Sequence, residues 1–250
     1  MEKLSAAMDL ASRITGVMST DALYEALAEA SEWLGARYFA LSHHVDFAAA
    51  PRALRIHNYP DGWESWYDER RLGLSDPIHR ASHRMAGGFF WTDVADIIQI
   101  NGTDRQLLGL GKQIGLGDGC TVPVHVPGEA RGSCSFVAES GAKLPRGTLL
   151  LAQSIGAFAF DRMRWLQRQA SGNPLPRLSK RQRQCIALAG QGLSNAEIAL
   201  RLGIGVQSVM EHLREARAKL GVGSRCELVV GSLKMGDLCF DDMPPRAAYG

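Results

Sequence analysis

The apolar positions of the first 170 residues alternate between a helical and a strand period. Residues 3–17 and 20–34 repeat apolar side chains at helical spacing, the second segment opened by Ser19 or Thr20 as a cap and closed by Gly35. Residues 36–45 (ARYFALSHHV) and 53–58 (ALRIHN) have strand composition. Short helices are predicted over 62–72 and 76–86, and FFW at 89–91 as a strand or the entry to one. A helix follows at 103–114, then a strand at 118–126 (DGCTVPVHV). The PGEARG turn (127–132) leads into SCSFVAE, and so short a connection predicts antiparallel pairing. Residues 145–168 predict one long helix with Pro145 near its first turn. Five strands joined mainly by hairpins and flanked by helices predict an α/β/α sandwich around a five-stranded antiparallel sheet.

Punctuation then sets the organisation. Gly172, Pro174 and Pro176 cannot continue a helix, so residues 171–176 are predicted to be a linker that ends a first domain at 1–170. Residues 177–240 form a second, all-α domain, and 241–250 (DDMPPRAAYG) a flexible tail. In the second domain Ser179 caps a helix carrying Cys185, Ile186, Leu188 and Ala189. Ser194 opens the next with Glu197 three residues on, a capping box. A GIG turn at 203–205 precedes a third helix, 206–220, whose stripe is Val209, Leu213, Ala216 and Leu220. Two short helices joined by a tight glycine-bearing turn are the helix-turn-helix pattern. The fold class expected is therefore α+β, a sandwich linked to a small helix-turn-helix domain.

Charge sharpens this division. The formal net charge of +2 is unevenly spread: residues 177–220 hold 8 basic and 3 acidic residues, whereas residues 1–170 are net negative. A basic module on a mildly acidic one predicts a polyanionic partner for the C-terminal part. No run approaches the ~20 apolar residues of a membrane span. The N-terminus has no secretory pattern either, so a cytoplasmic protein without membrane association is expected. Five cysteines without a CxxC pair argue against a zinc ribbon or a disulfide framework.

The stretch LSKRQ…LAGQGLSNAEIALRLGIGVQSVMEHLREARAKLGVGSR resembles the DNA-binding domain of LuxR-type regulators over roughly 45 positions. The resemblance implies that the third helix enters the major groove, where base edges are legible. It places Met210, Glu211 and Arg214 on the base-facing side. Arg214 suits guanine O6 and N7, and Glu211 suits cytosine N4. Lys180, Arg181, Ser194, Asn195, Ser208, Arg217 and Lys219 are implied phosphate contacts. Three positions depart from the family: Gln182 replaces a usual glutamate, Gly205 a usual serine cap, and Met210 a common lysine.

Aromatic residues concentrate upstream. Tyr59, Trp63, Trp66, Tyr67, Phe89, Phe90 and Trp91 fall between residues 58 and 91, in a chain with only 7% aromatics, and Asp76 stands among them before a proline. Apolar rings with a few polar groups are the composition of a small-molecule cavity. The spacing NYPxxWxxxYx8DP followed by a tryptophan resembles the autoinducer-binding domain of the same family, whose members bind N-acyl-homoserine lactones. By that resemblance Trp63 donates to the lactone carbonyl, Asp76 accepts the amide N–H, and Tyr59 and Ser135 donate to the acyl carbonyl. Trp91 and Tyr67 pack on the ligand, and Thr121 lines the pocket. Glu64 and Ile78, where some relatives carry arginine and threonine, leave fewer donors near the acyl carbonyls and weigh against a 3-oxo group. An Asp76 buried without a partner predicts a poorly stable empty pocket.

Other readings are weaker. Asp76, His79 and His83 fall on one helix face at metal-compatible spacing, but nothing supplies a second shell around them. His43 and His44, adjacent on a strand, point to opposite faces. A phosphoacceptor domain needs an acidic cluster after its first strand, and residues 36–47 hold only Asp46. No enzyme activity, metal or cofactor is expected; the effector is the lactone, or another small molecule in a related sensor. The DNA partner is expected to be a palindromic promoter site read by a homodimer, because one recognition helix spans only a few base pairs. Helices 145–168 and 226–235 offer the apolar surface for that dimer.

Overall fold

The structure is a computed structural model that describes residues 2–48, 50, 53–126, 129–171, 178–234, 237–238 and 242–243. The predicted linker, beyond Ser171, and the predicted tail, apart from Asp242 and Met243, lie outside the described residues. The chain divides into two compact units, Met1–His125 with Ala130–Gly172, and Val126–Glu129 with Asn173–Gly250.

The first unit contains α1 (Glu2–Gly16), α2 (Thr20–Leu34), β1 (Tyr38–His43), β2 (Arg55–His57), α3 (Trp63–Glu69), α4 (Pro77–Ser82), β3 (Phe89–Phe90), α5 (Val94–Ile97), α6 (Gly102–Gln113), β4 (Leu116–Val124), β5 (Gly132–Glu139) and α7 (Thr148–Ser171). The strands form one antiparallel sheet in the order β2-β1-β5-β4-β3. Ser19 caps α2 by accepting from Ala22 N–H, and Gly35 closes it in the left-handed conformation at φ 79°. The two-residue alternation of each strand decides which groups meet the helices. Phe39, Leu41, Cys120, Val122, Cys134 and Phe136 pack with Leu23, Leu27, Ile155 and Phe160 of α2 and α7 into the main core. On the opposite face a smaller core of Ile78, Ala81, Phe89, Val94 and Ile98 seats α4 and α5. The expected α/β/α sandwich is what forms.

Several predicted boundaries move. The α7 helix starts at Thr148 rather than 145, because Pro145 heads a turn in which its carbonyl accepts from Thr148 N–H. Both edge strands are short: β2 has three residues and β3 two, after which Trp91 begins a 3-10 turn through Asp93. The apolar residues of α7 divide, with Ile155 fully buried and Leu150 and Phe158 80% and 47% exposed.

The second unit holds α8 (Lys180–Gly190), α9 (Asn195–Leu202), α10 (Val206–Leu220) and α11 (Arg225–Lys234). Its core comprises Cys185, Ile186, Ala189, Ile198, Val209, Leu213, Ala216 and Leu228 among others. Both α8 and α9 open with complete capping boxes, Ser179 with Gln182 and Ser194 with Glu197. No helix among the described residues is long and apolar enough to cross a membrane.

The sheet face makes a quantitative prediction. Phe136 is fully buried between β1, β4 and α7, so Phe136→Ala is expected to cost about 3–5 kcal/mol of stability. Urea denaturation followed by circular dichroism reads this as a lowered midpoint at unchanged slope. A loss under about 1 kcal/mol contradicts the assignment.

Candidate functional site

The face of the sheet away from α2 and α7 opens into a cavity of about 530 Å³. Its wall is built strand by strand: Ala40 and Ser42 on β1, Arg55 and His57 on β2, Ser133 and Ser135 on β5, and Gly117 at the start of β4. The helical side contributes Tyr59, Trp63, Tyr67, Asp76, Ile78, His79 and Trp91, and α6 adds Leu107, Leu108 and Gly111. Six of the seven residues singled out for ligand contact therefore line one space.

Thr121, the seventh, is fully buried behind it. Its hydroxyl accepts from the Trp91 indole N–H at 2.9 Å and lies 2.8 Å from Ser135 Oγ. Since the indole can only donate, the Thr121 proton is available to Ser135, and the Ser135 proton is then available to the cavity. Thr121 thus supports Trp91 and Ser135 rather than lining the pocket. Trp91 lies flat over the sheet because position 119 is glycine; a Cβ there would meet two carbons of its ring at 2.9 Å.

Asp76 differs from the unpartnered carboxylate that the sequence implied. Its Oδ1 accepts from Ile78 N–H at 2.7 Å, capping α4, and its Oδ2 accepts from the Tyr67 hydroxyl at 2.9 Å. The charge is held from two sides before any ligand arrives, so instability of an empty pocket does not follow from Asp76. Burial, and secondarily the Asp76 charge, raises the pKa of Tyr59 and of Tyr67 well above the usual phenol value. Both phenols stay protonated and able to donate. Tyr67 has given its proton to Asp76. Neither the Tyr59 hydroxyl nor the Trp63 indole N–H has a hydrogen-bond partner among the described residues, and both face the cavity. Trp63 is fixed by its neighbours, with Trp66 stacked at 4.9 Å and Tyr67 at 5.8 Å between ring centroids.

The sequence reading missed two groups. One is the β2 edge, where Arg55 donates to both Asp68 oxygens at 2.7 Å and to Glu64 at 2.5 Å, with its guanidinium 3.9 Å above Phe47. The RIH of β2 read only as strand composition; its inward period was the available signal. The other is a histidine cluster. His43 faces Phe160 in the core, whereas His44 turns to the other side, stacking on His79 at 3.7 Å and placing Nδ1 2.9 Å from His83 Nε2. His44 Nε2 also meets Ser133 Oγ at 2.9 Å, and His79 Nδ1 donates to the Gly73 carbonyl. The three side chains of the sequence's metal reading, Asp76, His79 and His83, thus have separate partners.

In the second unit α10 buries Val209, Leu213 and Ala216 and exposes Ser208, Met210, Glu211 and Arg214 on the opposite side. Arg214 and Glu211 form an ion pair on the helix surface, with Nε to Oε2 at 2.9 Å, which holds the Glu211 carboxyl below its usual range. Lys180, Arg181 and Ser194 are exposed. Three expected phosphate contacts have internal partners: Asn195 accepts from Arg225, Arg217 donates to the Gly223 carbonyl, and Lys219 donates to Gln182 Oε1 at 3.0 Å. Gln182 completes its capping box and also donates to Glu215, so the departure from glutamate keeps the local bonding. Gly205 leaves α10 without a side-chain cap.

This arrangement, a ligand-sized aromatic cavity in one unit and an exposed recognition-type helix in the other, is that of a ligand-controlled DNA-binding regulator. Comparison with known families agrees: residues 19–163 match the autoinducer binding domain, and residues 176–231 match bacterial regulatory proteins of the luxR family. The chain belongs to the LuxR family of quorum-sensing transcriptional regulators. It is 24% identical over 235 residues to the transcriptional activator protein AhyR of Aeromonas hydrophila, covering 90% of this chain and 88% of that one. It is 26% identical over 184 residues to the putative HTH-type transcriptional regulator y4qH of Sinorhizobium fredii. That match spans 72% of this chain and 56% of the relative's length. Among solved structures, Escherichia coli SdiA superposes with a TM-score of 0.74 at 20% identity, covering 93% of this chain and 98% of that one. A second SdiA structure, in complex with octanoyl-rac-glycerol, superposes at 0.68 and 20% identity, covering 94% and 96%.

The histidine cluster sets a pH dependence. Burial, with the neighbouring histidines adding to it, holds His44 well below 6.5; burial and then Arg131 lower His83 to about 4. The unfolded chain takes up protons near pH 6.5 that the folded chain refuses, so stability falls as pH drops from about 6.5 towards 4 and is level above. Urea midpoints at pH 7.5, 6.0 and 5.0 test this, and His83→Asn is expected to flatten the slope. Equal midpoints for the parent chain at pH 7.5 and 5.0 contradict it.

Proposed function

We propose that the chain binds an N-acyl-homoserine lactone in the sheet-face cavity and, as a two-fold dimer, regulates transcription by binding palindromic promoter DNA. The observation that carries this reading is the set of unspent groups in the cavity. Tyr59 O–H, Trp63 N–H and the Ser135 proton freed by the Trp91–Thr121 chain are donors, and Asp76 keeps lone pairs beyond those used by Tyr67 and Ile78. An acyl-homoserine lactone presents two carbonyls and one amide N–H, which is the complement of that set. Trp63 takes the lactone carbonyl, Asp76 the amide N–H, and Tyr59 and Ser135 the acyl carbonyl. Tyr67 and Trp91 supply apolar contact, and Thr121 acts through its neighbours.

The DNA half of the proposal rests on α10. Met210, Glu211 and Arg214 face outward together, with Lys180, Arg181, Ser194 and Ser208 around them as phosphate contacts. Asn195, Arg217 and Lys219 join these only by exchanging their internal partners for phosphate. In this reading residues 1–170 sense, 171–176 link and 177–240 bind DNA. Exposed Leu150 and Phe158 on α7 and Val230 on α11 supply apolar surface for the two-fold interface. A second reading is favoured by the acylglycerol bound to SdiA: an effector with an ester and hydroxyls in place of the amide, whose hydroxyl donates to Asp76.

Titrating the parent chain with a lactone panel and with an acylglycerol separates them, and Asp76→Asn tests the site. Removing the carboxylate forfeits a charge-assisted bond of about 1.5–3 kcal/mol, so lactone affinity in a calorimetric titration is expected to fall between tenfold and a hundredfold. A lactone panel that fails to bind the parent protein overturns the proposal. For the output helix, Arg214→Ala is expected to lose about 1–3 kcal/mol of discrimination at one base position of a selected palindrome. Unchanged base preference in a competition gel shift removes Arg214 from the readout set.

A further inference from the structure

The end of the cavity far from Trp91 is lined by polar groups with unused hydrogen-bonding capacity, and this bears on the ligand's tail. Sheet register locates it. Ser135 on β5 pairs with Ala40 on β1, and Ser42, two residues further along β1, pairs with Arg55 on β2. Ordinary strand spacing then puts Ser42 roughly 8 Å from Ser135, with Arg55 one strand beyond. Both line the cavity.

Arg55 is anchored by Asp68 and Glu64 through three of its five N–H groups. Its Nε–H and the second proton of Nη1 have no acceptor among the described residues. The Ser42 hydroxyl has no side-chain partner among them either. His57 Nδ1 accepts from Tyr59 N–H, so its Nε2 carries the proton and donates to Glu64, which holds that carboxylate in place. The Arg55 side chain is only 19% exposed, and its guanidinium is stacked on Phe47. This end is therefore a rigid, partly dehydrated polar wall. A bare alkyl terminus lodged there strips water from these donors and returns nothing.

We infer that the ligand of this cavity carries a hydrogen-bonding group, a hydroxyl or carbonyl, near the far end of its acyl chain, received by Ser42 and Arg55. The inference rests on the lactone reading, in which Ser135 holds the acyl carbonyl and thereby sets the origin of the 8 Å span. An eight-carbon chain reaches roughly that far.

The test compares N-octanoyl-homoserine lactone with N-(8-hydroxyoctanoyl)-homoserine lactone by calorimetric titration on the full chain. The hydroxylated compound is expected to bind at least tenfold more tightly. That advantage is expected to shrink below threefold in Ser42→Ala, which removes one hydroxyl from a part-buried strand position. Arg55→Lys, which keeps a charge beside Asp68 but not the fork, is expected to act in the same direction. Equal affinities in the parent chain, or tighter binding of the plain compound, overturn the inference and leave the lactone reading standing. An advantage undiminished in both variants overturns the assignment to Ser42 and Arg55. Failure of both compounds to bind removes the lactone reading itself and this inference with it.

Discussion

The alternation of side chains along β5 is the constraint on which the rest of the first unit depends. Cys134 and Phe136 face the core against α7, while Ser133 and Ser135 face the cavity. A slip of one residue against β1 or β4 exchanges these sets, placing a phenyl ring in the binding site and hydroxyls in the core. The pairing of Phe136 with Phe39 and Cys120 makes that exchange prohibitively costly, because both partners are buried on the same side. Core packing thus aims Ser135 into the cavity and places Thr121, its register partner, where Trp91 can bond to it. Stability and recognition share one register.

Preorganisation is the second theme. Asp76 is oriented by the α4 N-terminus and by Tyr67, and Trp63 by two ring contacts. Such groups lose little freedom when a ligand arrives, which lowers the cost of binding. A ligand bound only to the folded chain then stabilises it by mass action, about 2.7 kcal/mol at a hundredfold excess over Kd. The DNA-binding unit is prepared differently. Arg214 is paired with Glu211 on the helix surface, so any contact that Arg214 makes with DNA begins with exchange of a surface ion pair, itself worth little in water.

Much of this was legible in the sequence, for reasons that can be named. Helix ends were, because caps such as Ser179, Ser194 and Gly35 act on neighbouring backbone groups, and the aromatic spacing around Asp76 gathered five residues that share the cavity. What escaped depended on partners distant in sequence. Asp76 looked unpartnered because Tyr67 meets it only once α3 and α4 fold together. Thr121 looked like a wall residue because its bonds to Trp91 and Ser135 cross strands. The His44–His83 contact spans 39 residues and the Arg55 network joins a three-residue strand to a helix; neither has a periodic signature.

Selection of an acylated lactone by the cavity is tested most directly by mass spectrometry of the small molecule extracted from the chain after purification from a host producing a mixture of N-acyl-homoserine lactones. One dominant acyl-homoserine lactone in near-stoichiometric amount is expected, and a reduced amount of it in Asp76→Asn. Recovery of an acylglycerol or another non-lactone amphiphile in its place, or of no small molecule, contradicts it.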